Sequence, residues 1–560
     1  MFSNKENINI LTSLLAAHGI KRAVVCPGSR NAPIVHNLNE CKDITCYPVT
    51  DERSAGFYAL GMSLACGEPV AVCVTSGTAL LNLAPAVAEA TYRHHGLIVI
   101  SADRPSAWIG QLDGQTMPQQ GALGGFVCKS VSLPEPHDDI ERWHCNRLVN
   151  EALLAVKTRG RSSVHINVPV SEPLFFFNTP ELSHERVIKA VPQTLDVAAF
   201  NDIIGCRLKH AERPMLVLGQ LNAPQAGIEH SLEIIGHSMV VLSEPLSSGR
   251  RCLADLAVSS VIGLDGYAPD FVLYVGDTVV SKRLKRFLRN AGHMESWLVS
   301  EDGEVHDPFM NVTGVIEGNP VTAINELATL LKDRCLHDVE RSDYVALWNK
   351  RMSAIASLID AYEPPYSQMA VVREFELSLE DMDYSFHVHY ANSSAVRLGC
   401  MFSEHYVWCN RGINGIEGSL STAAGHSAVT TDIVFCVIGD LSFFYDQNAL
   451  WNTCLGGNLR IILLNNGCGG IFYGLRGLSE SPAFERYVTA AHLTTARGIC
   501  VQNDVGYLSA RNAEELHVSL ATLMTAGTHR PMLLEVFTDP ETDERAVAEL
   551  TSYVRNMTAG

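Results

Sequence analysis

Two short stretches in the last third of the chain carry residue types suited to a hard cation. The first, Gly439-Asp440-Leu441-Ser442, closes the apolar run Ile433 to Ile438. The second, Asn465-Asn466 followed by Gly467-Cys468-Gly469-Gly470, closes the apolar run Leu459 to Leu464. Asp440 and the Asn466 side chain offer two hard oxygens, and the Cys468 carbonyl a third. Mg²⁺ takes few protein oxygens into its octahedral shell and commonly leaves the rest to phosphate and water. The Gly-rich turn lets the backbone approach a diphosphate. Either pair alone also fits ordinary loop residues after a strand. Together, with 25 residues between Asp440 and Asn466, they point to a site.

The elements that must position these residues follow from the same runs. Unbroken apolar segments of this length are strands buried on both faces, neighbours in a parallel sheet. Ligands collect at the carboxyl ends of such strands, so Asp440 and Asn466 are expected side by side at one rim. Between them, Asp446 to Leu455 has the length and composition of a short helix. The first 180 residues or so repeat the pattern. Arg22 to Cys26, Ile44 to Val49, Val70 to Val74 and Leu97 to Ser101 read as strands, each followed by a polar loop. Helical patterns cover Ser54 to Cys66 and a stretch reaching about Ala90. In the middle, Met215–Leu218, Met239–Leu242, Phe271–Val275 and Trp297–Val299 are further strands. The fold class is α/β, three α/β domains with central, mostly parallel sheets. Polar, Pro-bearing connections at Leu174 to Asp196 and Ala361 to Gln368 divide the chain into domains 1–185, 190–355 and 360–560.

Composition bounds the rest. The chain has 560 residues, 47% of them apolar and 18% charged, which suits compact domains with large cores. Its formal charge of −19 argues against a general nucleic-acid binder. No apolar run approaches the roughly 18 residues that a membrane span requires. The N-terminal stretch lacks the basic lead of a signal peptide and reads as an amphipathic helix. None of the 16 cysteines forms a C-x-x-C pair, and Cys26, Cys73 and Cys436 sit in apolar runs as small core residues. A reduced, cytoplasmic protein is expected. No G-x-G-x-x-G follows a strand, which disfavours a nicotinamide oxidoreductase.

Cations recur after strands: Ser29-Arg30, Arg104, Lys282-Arg283, and Arg397 and Arg411 near Ser393. Any one alone fits a surface or salt-bridge residue. Six on an acidic protein suggest substrates with several carboxylates, which the planar Arg fork binds well. Glu52, in Asp51-Glu52-Arg53, opens a helix, where an acid also complements the helix dipole.

Gly-Asp, this spacer and Asn-Asn resemble the cofactor motif of thiamine-diphosphate enzymes, although Leu441 stands where Gly is usual. DERSAGFYALG and TSGTALLNLAPAVAEA resemble that family's Glu-bearing segment and the pyrimidine-binding segment after it. CPGSRNAP, ADRP, NSSAVR, NRGINGIEG and GDLSFFYDQNAL resemble, more narrowly, the carboligases of menaquinone biosynthesis. The middle domain contributes only Ser281-Lys282-Arg283 and His306-Asp307-Pro308.

The resemblance implies the family's decarboxylase-like architecture, with an N-terminal pyrimidine domain, a Rossmann-like central domain and a C-terminal diphosphate and metal domain. It implies thiamine diphosphate with Mg²⁺ or Mn²⁺, and a homodimer or homotetramer whose active sites draw Glu from one subunit and metal ligands from another. Glu52 would act on the pyrimidine. Ile416 would prop the cofactor in its bent form, and Gly77, Thr78, Asn82, Gly439, Leu441 and Ser442 would contact it. Asp440, Asn466 and Cys468 would hold the metal. The substrates implied are 2-oxoglutarate, decarboxylated to a succinyl-semialdehyde carbanion, and isochorismate, which takes that carbanion by 1,4-addition. Ser393, Arg397 and Arg411 would hold the first. Ser29, Arg30, Arg104, Gln115, Lys282 and Arg283 would hold the second. Ile471, Phe472 and Leu475 would wall out water, a role that ordinary core packing also explains. The alternative is another thiamine-diphosphate 2-oxoacid decarboxylase or carboligase, such as acetolactate synthase.

Overall fold

The computed structural model describes all residues except 158–161, 191–193, 223–226, 252, 335–338, 476, 526 and 557–560. Three parallel sheets, each flanked by helices, run in succession along the chain. The first contains β1 (Arg22–Val25), β2 (Thr45–Pro48), β3 (Ala71–Val74), β4 (Ile98–Asp103), β5 (Lys129–Ser132) and β6 (Val164–Pro169), in the order β2-β1-β3-β4-β6-β5. The second contains β7 (Pro214–Leu218), β8 (Val240–Leu242), β9 (Phe271–Val275), β10 (Glu295–Ser300) and β11 (Val312–Glu317), in the order β11-β10-β9-β7-β8. The third contains β12 (Phe386–Tyr390), β13 (Val407–Trp408), β14 (Ile433–Gly439), β15 (Leu459–Asn465), β16 (Gly506–Ala510) and β17 (Met532–Phe537), in the order β13-β12-β14-β15-β17-β16. The strands read from apolar runs all form, with differences only at their ends.

β14 and β15 pair in parallel with Gly439 opposite Leu464, so Asp440 and Asn466 emerge at the same rim. Their interiors are wholly buried, as runs that are apolar apart from the buried Arg460 of β15 dictate. The helix expected over Asp446–Leu455 does not form. Helix instead starts at once, over Asp440–Tyr445, and breaks at Asp446 into a short 3₁₀ turn at Gln447–Leu450. The cause is a tertiary bond: the buried Asp446 carboxylate accepts from the Ser421 N–H at 2.7 Å and its hydroxyl at 2.8 Å.

The outer two sheets are joined through a helix pair. Helix Glu52–Cys66 starts at Asp51, whose side chain accepts from the Ser54 N–H, and ends at Gly67 in the left-handed conformation. It crosses helix Ser419–Ser427 with almost no space between backbones. A Cβ on Gly61 would lie 1.9 Å from the Thr422 carbonyl oxygen, and one on Gly425 2.0 Å from that of Tyr58. One apolar core therefore runs continuously from Val24 and Phe57 to Leu420 and Ile438. A second joins the middle and last sheets, through residues such as Trp348, Phe375 and Phe435.

Helix Val339–Ala361 passes position 355, the expected end of the central domain, and the next helix begins at Gln368. The first helix, Glu6–Ala17, is buried on most sides rather than on one face. All described cysteines are free. Among the described residues, no helix is long and apolar enough to cross a membrane.

Candidate active site

Asp440 is 3% exposed at the tip of β14. One of its oxygens accepts from the Leu441 N–H at 2.7 Å, the other from the Cys468 N–H at 3.1 Å. His492 Nε2 lies 3.5 Å from that second oxygen and makes no hydrogen bond among the described residues, while its Nδ1 accepts from the Thr494 N–H. With Nδ1 accepting, the ring proton sits on Nε2, toward Asp440. Asn466 donates its Nδ2 to Asp543 at 2.9 Å, which fixes the amide and leaves Oδ1 as an acceptor. Asp543 is in turn held by the Gln368 N–H and the Thr538 hydroxyl. Burial raises the Asp543 pKa, against the pull of these three donors.

Glycine is required in the turn beyond Asn466. A Cβ on Gly470 would sit 2.4 Å from Asn466 Nδ2, and one on Gly469 2.9 Å from the Phe472 ring. The Cys468 thiol is pushed up to about 12, by burial and then by Asp440, so it stays protonated. That leaves its carbonyl, which also accepts from the Gly470 N–H. Among the described residues, no cluster of three or more His, Cys, Asp and Glu is placed to hold a metal. The donors on offer are one carboxylate, one amide oxygen and one carbonyl. This hard, sparsely charged set fits Mg²⁺ completed by phosphate and water, and the buried His492 Nε2, which has no hydrogen-bond partner among the described residues, lies beside the Asp440 carboxylate.

Beside Asn466 opens a cavity of about 380 Å³ between the middle and last domains. Lys282, Arg283, Arg397, Ile471 and Leu475 line it together with Asn466. Arg283 is engaged by Asp255 at 2.5 Å, and the same carboxylate accepts from the Ser281 hydroxyl. Buried Glu244 receives the Val280 and Ser281 N–H groups at 2.7 and 2.9 Å, shaping the turn that presents Lys282. Burial raises the Glu244 pKa, opposed by those two bonds and by Arg411. Burial lowers that of Arg397, with Asp255 opposing. Ser393 follows β12 with φ of 77°, unusual for a residue with a Cβ, and its neighbour Ser394 is the one lining the cavity.

Arg411 is not with Arg397 on this wall. It lines a second cavity, of about 630 Å³, shared with His94, Asp302, His306 and Asp307. Its Nη1 donates to Asn392 at 3.0 Å, and its buried Nε has no hydrogen-bond partner among the described residues. The expected trio Ser393, Arg397 and Arg411 thus surrounds the β12–β13 rim without converging on one cavity.

The remaining expected residues stand at the rim of the first sheet: Ser29-Arg30 after β1, Glu52 after β2, Gly77-Thr78 after β3 and Arg104 after β4. Glu52 accepts a long bond, 3.5 Å, from Asn82. Arg30 is buried and spends its guanidinium on the Val170 carbonyl and on Glu172. Arg104 reaches the Gly114 carbonyl at 3.3 Å, within a loop that passes close over Gly77. At Gly77 φ is 85° and a Cβ would lie 3.2 Å from the Gln115 Cα, so this approach needs glycine. Glu52 itself is bracketed. Asp51 accepts from Asn448, and Arg53 donates to the Tyr445 carbonyl while its guanidinium lies over the Tyr445 ring. Among the described residues, no hydrogen bond or ion pair links Glu52 with Asp440, Asn466 or Cys468.

Asp543, His492, Glu244, Asp255 and Asn392 were not singled out from sequence. Asp543 had a readable signal, since it is an acid in the first turn of the helix Pro540–Asn556 that follows β17. The others depend on long-range contacts.

Residues 8–123 match the family described as thiamine pyrophosphate enzyme, N-terminal TPP binding domain. Together with the three parallel sheets, this makes the chain a thiamine-diphosphate-dependent enzyme. Curated relatives narrow the class. A 2-succinyl-5-enolpyruvyl-6-hydroxy-3-cyclohexene-1-carboxylate synthase of Bacteroides fragilis is 43% identical over 99% of this chain and 100% of its own. The one of Phocaeicola vulgatus is 42% identical over 99% and 100%, and that of Porphyromonas gingivalis 35% over 96% and 95%. The chain belongs to the 2-succinyl-5-enolpyruvyl-6-hydroxy-3-cyclohexene-1-carboxylate synthase family.

Proposed function

We propose that this protein decarboxylates 2-oxoglutarate and adds the resulting succinyl-semialdehyde unit to isochorismate in a 1,4 sense, as a carboligase of menaquinone biosynthesis. Thiamine diphosphate and Mg²⁺, or Mn²⁺, are the cofactors. The observation that carries the reading is the cavity that sets Lys282, Arg283 and Arg397 beside Asn466 and the apolar Ile471 and Leu475. Two polycarboxylate substrates need cations there, and a carbanion needs water kept away.

Thiamine diphosphate, when bound, supplies a carbon that bonds the oxoacid carbonyl and accepts the electron pair that CO₂ leaves behind. Asp440, Asn466 and the Cys468 carbonyl would hold the cation, with Gly439, Leu441 and Ser442 near the diphosphate. Glu52 would hold a proton at the pyrimidine ring, with Gly77, Thr78 and Asn82 beside it and Ile416 bracing the cofactor. Arg397 would bind an oxoglutarate carboxylate, and Lys282 and Arg283 those of isochorismate, with Ser29, Arg30, Arg104 and Gln115 from the first sheet's rim. Glu52 and the metal donors would meet across a subunit interface, in a homodimer or homotetramer. A cytoplasmic location suits the free cysteines.

The test supplies purified protein with thiamine diphosphate, Mg²⁺ and 2-oxoglutarate, with and without isochorismate. Loss of isochorismate absorbance and the product mass are followed. Consumption that needs all four components supports the reading. CO₂ release with isochorismate untouched would overturn the acceptor, and inertness with cofactor bound would overturn the donor.

A further inference from the structure

The loop 411–416 carries two residues assigned roles above, Arg411 and Ile416, yet belongs to no helix or strand. Asn392 pinches its ends, donating to the Asn410 and Gly415 carbonyls at 2.6 and 2.8 Å. Its middle is held from another domain. Glu89, on helix Ala84–Tyr92 of the N-terminal unit, is 3% exposed and accepts from the Gly412 N–H at 2.7 Å and the Ile413 N–H at 2.6 Å, one on each oxygen. Asn414 adds its backbone N–H to the same carboxylate. Consecutive N–H groups turned on one anion form a nest, a shape that depends on the anion. The fit is close: a Cβ on Gly412 would lie 2.7 Å from the Glu89 carbonyl oxygen, and Asn414 takes φ of 69°. One turn further along, Arg93 reaches Asp277 and Asn222 of the middle domain, so this helix end is anchored in all three domains.

We propose that Glu89 is a positioning residue, whose carboxylate sets the shape of the 411–416 loop and thereby the placement of Arg411 and Ile416. It makes no contact with substrate or cofactor on the functional reading above, on which the kinetic part of the inference rests. An amide in its place would turn an N–H group against one of the backbone N–H groups it now accepts.

The experiment compares wild type with Glu89→Gln and Glu89→Asp. In the absence of cofactor, hydrogen exchange of the 411–416 backbone is expected to speed up at least about tenfold at Gly412 and Ile413 in Glu89→Gln, with cooperative thermal unfolding retained. In the loaded enzyme, kcat should fall about tenfold or more, as misplaced groups do. The circular dichroism of the bound cofactor should change, while its Kd moves less than threefold. Glu89→Asp, which keeps the charge, should recover part of the loss. Unchanged exchange, or unchanged kcat and cofactor spectrum in folded protein, overturns the proposal. If Glu89→Gln does not fold, the same readouts on Glu89→Asp decide, with exchange and kcat expected between wild type and tenfold effects and identity to wild type overturning it. Failure of wild type to turn over would sink the proposed function, whereas the exchange result stands or falls separately.

Discussion

The first and third sheets are wound identically. Numbered within each sheet, both have the strand order 2-1-3-4-6-5, and both gather their polar residues at the carboxyl rim around the reversal between strands one and three. What they place there differs. After the third strand, the first sheet has Gly77-Thr78, where the third has the carboxylate of Asp440. After the fourth, the first has Arg104, where the third has Asn466. The third sheet's rim is also internally braced, since Asp543 and the Leu441 and Cys468 N–H groups fix its oxygen donors. Glu52 on the first sheet accepts one long bond and is steered by its neighbours Asp51 and Arg53. Topology sets where residues emerge, and the residue after each strand sets the chemistry. A braced rim suits a metal that needs fixed geometry, and a loosely held carboxyl suits a group that exchanges a proton.

That contrast can be broken at either rim. The largest effect is expected from Glu52→Gln: turnover should fall roughly 1000-fold, the middle of the range for a lost acid–base group. Cofactor affinity, read by calorimetry, should hold, and near wild-type turnover would remove Glu52 from the chemistry. Next comes the junction of the two sheets. Gly61→Ala drives a Cβ into the Thr422 carbonyl and should cost about 3 kcal/mol in urea unfolding, the upper end for overpacking. An unchanged midpoint would mean that the helices part easily. Asp440→Asn, at the braced rim, should weaken Mg²⁺-dependent cofactor binding by about 100-fold, as loss of ligand support does, the reverse of the Glu52 pattern. Arg397→Ala should lower kcat/KM for 2-oxoglutarate by about 30-fold, from one charge-assisted bond worth about 2 kcal/mol. Cofactor binding should not change, and intact oxoglutarate kinetics would exclude Arg397.

The smallest effect is a pH dependence away from both sites. Burial lowers the His405 pKa, but its 2.9 Å bond to Glu376 more than offsets this, and the folded value ends above the ordinary 6.5. The stability from this pair is therefore fully present below pH 6.5 and lost as pH rises through the folded value. His405→Gln should flatten that limb of the unfolding midpoint against pH, and a parallel curve would show the pair to be idle.

Sequence made the rims legible. Apolar runs ending in Gly-Asp and Asn-Asn placed β14 and β15, and their pairing puts Asp440 and Asn466 where that pattern requires. The helix after β14 was misplaced because Asp446 breaks it through bonds to Ser421, 25 positions earlier in the chain, and no local pattern records such a partner. Distance also hid Glu89, whose partners lie 323 and 324 positions away. Arg411 could be seen as a cation after a strand, but which of two cavities it faces depends on how three domains pack.

The glycine contacts between helices Glu52–Cys66 and Ser419–Ser427 are reciprocal. Each glycine abuts the other helix's backbone, and the two helices follow the second strand of identically wound sheets. This is the self-complementary geometry that two copies of one unit make about a two-fold axis. In a symmetric pair every substitution is inherited twice, so a Glu at one rim is a Glu at the other. Joining the copies into one gene releases that constraint. In this chain the rims do differ, with Glu52 after the second strand of one sheet and Asp440 after the third strand of the other, while the glycine contact between the two helices stays reciprocal.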